Sequence, residues 1–171
     1  MRTVRLPRGV IPVTPDLGQE SVWDYPRPPR LEPSDKHVVV VLGGQVIADS
    51  RRTFRVLETS HPPGYYIPLS DWHPGALVPV AGSSVCEWKG AARYFDVHGG
   101  GATAPRGAWG YPSPADAFAA LADCASVYPA LMDRCELDGV TVEPQEGEFY
   151  GGWLTPDVVG PCKGAPGTWG W

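Results

Sequence analysis

The chain has 171 residues, 43% hydrophobic and 19% charged, with a net charge of −5. That length supports one domain with a real core, and the lack of a Lys/Arg block argues against a protein that tracks nucleic-acid phosphates. Gly (21) and Pro (20) are plentiful but follow no period, which excludes collagen; set between apolar runs, they fit short strands joined by many turns.

The N-terminus, MRTVRLPRGVIPVTP, has no long apolar stretch of the kind a secretory signal needs. The most apolar short run, Val38 to Leu42, is too short to span a bilayer. A cytoplasmic protein with no membrane or nucleic-acid partner is expected. Residues 1–33 read as an extended arm, because DYPRPPRLEP (24–33) favours a polyproline-like path. Such an arm either docks a partner or packs on its own domain through Val22, Trp23 and Tyr25, and the packed arrangement is the simpler reading.

The β-branched run from His37 to Leu42, the Gly43-Gly44 turn and the apolar segment from Gln45 predict a hairpin over 37–42 and 45–49. Thr53 to Thr59 alternates as a third strand, with Phe54, Val56 and Glu58 on one face. His61-Pro62-Pro63-Gly64 breaks the pattern, and Tyr65 to Ile67 resumes it until Pro68. Leu77 to Val80 is a short strand. Val85 to Val97 is a longer one, interrupted at Gly90. GGGATAPRGA (99–108) reads as a flexible loop. Ser113-Pro114-Ala115-Asp116 has the chemistry of a helix start, so 117 to about 126 is expected to be helical with Phe118 and Leu121 buried. Asp138-Gly139 predicts a turn joining 135–137 to 140–142, and an aromatic, glycine-rich tail follows.

The four cysteines, Cys86, Cys124, Cys135 and Cys162, form no C-x-x-C pair, so structural zinc is not implied and free thiols are expected. His61, His73 and His98 lack zinc-enzyme spacing, and no metal is assigned. Along a regular strand Cys86 and Lys89 face opposite ways. They meet only if a turn or bulge intervenes, where Lys89 would favour the Cys86 thiolate. A buried cysteine beside a surface lysine is the simpler reading. A Cys86, His61 and Glu58 set has triad chemistry, whereas His61 before two prolines also fits an exposed loop.

Taken together, ADSRRTFRVLETSHPPGYYIPLSDW, CEWKGAARYFDV and AWGYPSPADAF resemble the bacterial family labelled domain of unknown function 427. Glu58, Tyr65, Tyr66, Pro68, Asp71, Cys86, Lys89, Gly90, Ala92, Tyr94, Trp109, Tyr111 and Pro112 match its pattern over about 35–143. Glu87 departs from it, standing where proline is usual. The resemblance implies a fold that is mainly β: β-tent-like antiparallel sheets with one short α-helix. Some classifications give the family a nucleotidyltransferase name. The paired carboxylates that such chemistry needs are missing after Gly43-Gly44, where Asp49 stands alone before Arg51 and Arg52.

Three parts are expected: the arm (1–33), the β-tent-like domain (34–148) and the tail (149–171) packed on it. The expected function is small-molecule binding in a pocket around Cys86, Lys89 and Tyr94. Tyr65, Tyr66, Trp88, Tyr94, Trp109 and Tyr111 would shape it, while Glu58, Asp71, Lys89 and Arg93 would orient polar groups. Were it an enzyme, Cys86 would be the nucleophile or redox thiol, Lys89 its electrostatic partner, and Glu58 or His61 the acid–base group. The rival reading is a non-catalytic interaction module using the arm and tail. Cofactor identity and homo-oligomerisation stay open.

Overall fold

The computed structural model describes residues 5–147 and 149–171. The first four residues of the expected arm lie outside it, as does residue 148, where domain and tail are expected to meet.

The strands run in chain order as β1 (Glu20–Ser21), β2 (Arg30–Ser34), β3 (Val38–Leu42), β4 (Gln45–Ser50), β5 (Thr53–Leu57) and β6 (Gly64–Pro68). The long strands β7 (Leu77–Cys86), β8 (Gly90–Gly99) and β9 (Ala102–Gly110) follow. Then come β10 (Cys124–Val127), β11 (Arg134–Leu137), β12 (Val140–Thr141), β13 (Glu143–Pro144), β14 (Trp153–Leu154) and β15 (Val158–Val159). The fold is mainly β. A seven-stranded sheet has the order β2-β5-β6-β10-β9-β8-β7, and a four-stranded sheet has the order β12-β11-β3-β4. Both are antiparallel throughout.

The β3–β4 hairpin forms as the sequence predicts, and so does the β11–β12 hairpin at Asp138-Gly139. Three expectations are overturned. First, Val85 to Val97 is not one strand. Cys86 pairs with Gly90 across a turn made of Glu87, Trp88 and Lys89, so the segment folds back on itself. Gly90 allows this with φ at 109°, a conformation that side chains resist. Second, 99–108 is not a loop. The chain turns at Gly100 and Gly101 and returns as β9. Third, the expected α-helix is a run of 3-10 turns over Asp116–Asp123, kinked at Phe118 and without a side-chain cap. Eight residues gain little from α nucleation, and Cys124 to Val127 is fully buried as a central strand instead. Phe118 and Leu121 are buried as expected.

The main core lies between the two large sheets, with Val38, Val40 and Ile47 on one side and Tyr65, Ile67 and Val97 on the other. Trp153 is fully buried there, donating its indole N–H to the Val127 carbonyl at 3.2 Å. The opposite face of the seven-stranded sheet carries a second cluster of Val56, Tyr66, Trp109, Tyr111, Phe118 and Leu121. Val22, Trp23 and Tyr25 are buried in a third cluster with Leu57 and Val158, and β1 pairs with β15 in parallel. The arm and the tail therefore touch each other and the domain. Among the described residues, no helix is long and apolar enough to cross a membrane.

Candidate functional site

Alternation along β5, β6 and β8 decides what reaches the outer face of the large sheet. From β6, Tyr66 points to this face, while Tyr65 turns into the main core against Trp153. From β8, Ala92 and Tyr94 face it and Arg93 does not. Beyond the end of β5, Glu58 keeps the side that Val56 has within the strand. Over this face lies a cavity of about 460 Å³. It is lined by Glu58, His61, Tyr66, Cys86, Trp88, Lys89, Tyr94, Trp109 and Tyr111, along with residues that come from the tail. The β7–β8 turn ends the strand at Cys86, and both Cys86 and Lys89 line the cavity.

Tyr65, Asp71 and Arg93 do not reach the cavity. Tyr65 is core, 2% exposed. Asp71 is held elsewhere by Arg52 Nη2 at 2.8 Å and by the Ser50 hydroxyl at 2.5 Å, and these hydrogen bonds, Arg52's above all, keep its carboxyl below the usual range. Arg93 is exposed on the other side of β8. Of the other two candidate histidines, His73 is exposed and His98 pairs with the Thr103 hydroxyl at 3.0 Å. Neither lines the cavity.

At one end of the cavity stand Cys86, Lys89, Tyr66, Tyr111 and Trp109. Lys89 Nζ sits 5.5 Å from the centre of the Tyr111 ring. Tyr66 packs against Trp109 at 6.3 Å and Tyr111 at 6.2 Å between ring centres. Burial raises the Tyr66 and Tyr111 hydroxyls well above the ordinary tyrosine range, so both stay protonated donors. Tyr94 fixes its hydroxyl on Ser84 at 2.7 Å and lies 4.2 Å beneath the Arg106 guanidinium. Tyr128 lies 4.4 Å from Trp109.

At the other end, His61 directs Nδ1 at the Thr59 carbonyl at 2.9 Å and at Glu58 Oε2 at 3.1 Å. Both of those partners only accept, so the proton resides on Nδ1 and Nε2 carries the free lone pair. Burial lowers the His61 pKa below its ordinary 6.5 despite the Glu58 charge, and Lys163 and Arg27 push the same way. Arg27 Nη2 stands 3.7 Å from the same Glu58 oxygen. The corner that presents His61 is built by arm and tail together. Ser60, at φ 73°, donates its N–H to the Val22 carbonyl and accepts from the Lys163 N–H at 2.8 Å. The Thr59 hydroxyl donates to the Tyr25 carbonyl at 2.6 Å.

Sequence reasoning missed Gln145 and the tail's share of the cavity: Phe149, Tyr150, Gly151 and Gly152. Tyr150 meets the His61 ring edge-on at 5.0 Å. Gly151 lies against the Trp109 ring so closely that a Cβ there would overlap it. The run of aromatic and glycine residues in FYGGW was the visible signal, though nothing local placed it here.

The other cysteines stand apart. Burial pushes Cys124 and Cys162 up to about 11 and Cys135 up to about 12, which keeps all three as thiols. Among the described residues, no group of three His, Cys, Asp or Glu is arranged to hold a metal ion.

No curated protein matches the chain. The family described as domain of unknown function (DUF427) matches residues 30–138, nearly all of both large sheets and much of the cavity, and the chain belongs to that family.

Proposed function

We propose that the cavity is a small-molecule binding site. One observation carries this: rings with polar tips, a thiol, an ammonium and an imidazole–carboxylate pair line a single cleft of about 460 Å³. That size and this mixture of apolar wall with a few polar groups are typical of ligand pockets. Cys86 and the His61 Nε2 give the site a nucleophile and a base, should it perform chemistry. Trp23, Tyr25 and Trp153 are 8%, 4% and 0% exposed, so these rings of the arm and tail serve the chain's own packing, whereas Ile11, Phe149 and Trp169 stay exposed. Four free cysteines favour a reducing, cytoplasmic setting.

Native mass spectrometry of the freshly purified full chain, set against its denatured mass, tests the proposal. The expected result is a small-molecule excess that is lost on denaturation, or thermal stabilisation by members of a metabolite-like panel. A chain that carries no excess and is stabilised by nothing in the panel would overturn it.

A further inference from the structure

The two ends of the cavity differ in what they can bind, and that difference selects a ligand. The Lys89 end is rich in donors: its ammonium, the Tyr66 and Tyr111 hydroxyls and the Trp109 indole N–H. Among the described residues, no carboxylate lies within ion-pair distance of Lys89. The Tyr66, Tyr111 and Trp109 tips are close enough to use part of their capacity on one another. What remains, together with the Lys89 ammonium, is donor capacity that a ligand oxygen can complement.

The His61 end is the opposite. Nδ1 is committed to Thr59 and Glu58, and Nε2 offers a lone pair that a hydroxyl or N–H can fill. Among the described residues, two carboxylates line the cavity. Glu58 is already balanced by His61 and Arg27, and Glu87 is exposed on the turn. Among these residues a cationic ligand therefore finds no uncommitted buried partner. The Tyr66, Trp109 and Tyr128 rings with Val56 add apolar walls suited to a flat molecule.

We propose that the site takes a planar aromatic or heteroaromatic carboxylate. Its acid group rests on Lys89 and the tyrosine hydroxyls, and a hydroxyl or N–H at its far end donates to His61 Nε2. This rests on the small-molecule reading given above and adds the chemical class.

The test is calorimetric titration of the full chain with para-hydroxybenzoate, para-hydroxycinnamate and indole carboxylate, with the methyl ester of each acid and an aromatic amine as comparisons. The acids are expected to bind, and their esters to bind roughly tenfold or more weakly, the worth of a charge-assisted hydrogen bond. Lys89→Met should weaken the acids by a similar factor and leave the esters unchanged, while Lys89→Arg should restore part of the loss. Circular dichroism checks that both variants stay folded. Esters binding as tightly as acids would overturn the proposal, as would full acid affinity in Lys89→Met or no binding by any acid. A neutral or amine ligand that binds, or that is retained in the native mass, would overturn the carboxylate class alone. If nothing binds and nothing is retained, the small-molecule reading fails as well.

Discussion

His61 Nδ1 and Glu58 Oε2 stand 3.1 Å apart, three residues from each other in the chain, at the edge of the cavity. The carboxylate opposes the burial that would otherwise lower the imidazole pKa further. An NMR titration should place the His61 midpoint below 6.5, and Glu58→Gln should move it lower still. An upward shift in that variant would refute the assignment. The effect on stability has a definite sign. Because the folded value is depressed, the contribution of His61 is complete above the unfolded value of about 6.5 and is lost as pH falls from there through the folded value.

Cysteine labelling should separate the four thiols. Cys86 is half-buried in the cavity wall, whereas Cys124 and Cys135 are buried and held protonated. Iodoacetamide on the folded chain, followed by peptide mapping, is expected to modify Cys86 first. Cys124 and Cys135 should react only after unfolding, and a bound ligand should slow Cys86. Equal labelling of Cys135 and Cys86 in the folded chain would contradict this placement.

Gly151→Ala probes the tail's contact with the cavity. The added methyl would overlap the Trp109 ring, so either the ring or the tail must shift. Overpacking of this kind costs about 1–3 kcal/mol. Urea unfolding should show that loss, and Trp fluorescence should change in the folded state. Gly170→Ala, where a Cβ meets nothing within 4 Å, should stay within ~0.5 kcal/mol of the parent chain.

Trp153→Ala tests whether the tail belongs to the core. The ring is 0% exposed and packs on Tyr65 at 5.3 Å. Its removal should destabilise the whole fold by about 3–5 kcal/mol in a single cooperative transition. If Trp153 were only a surface anchor, the unfolding midpoint would hardly move.

Asp71→Asn should separate stability from binding. Asp71 braces Ser50 and Arg52 and does not line the cavity. Differential scanning calorimetry should show a lower Tm at neutral pH, and the difference should shrink in acid as the native carboxyl protonates below 3.8. Affinity at the cavity should not change.

Much of this architecture was legible in local patterns. The Val38–Leu42 run and its Gly-Gly turn specify a hairpin, and alternation put Val56 and Glu58 on one side of β5. The same alternation, applied to Tyr65 and Tyr66, would have kept Tyr65 out of the pocket. Family likeness drew both tyrosines in instead. The segment from Val85 to Val97 misled because Glu87, Trp88 and Lys89 have no strong turn signature, and Gly90 reads equally as a bulge in one strand or as the exit of a tight turn. The return strand β9 was hidden by its small residues, which are buried because a sheet covers them rather than because they are large. The tail's place over Trp109 depends on contacts between residues some forty positions apart, and no local spacing encodes it.

The tail residues that wall the cavity fall after the family-matched span, which ends at residue 138, and Arg27 and the Tyr25 carbonyl that brace the His61 corner fall before it. A fragment trimmed to the shared region would keep the Cys86 and Lys89 wall but lose Tyr150 from the imidazole and Gly151 from the indole. The same flanks also carry Trp153, Trp23 and Tyr25 into the core, so the segments that wall the cleft help to hold up the sheet beneath it.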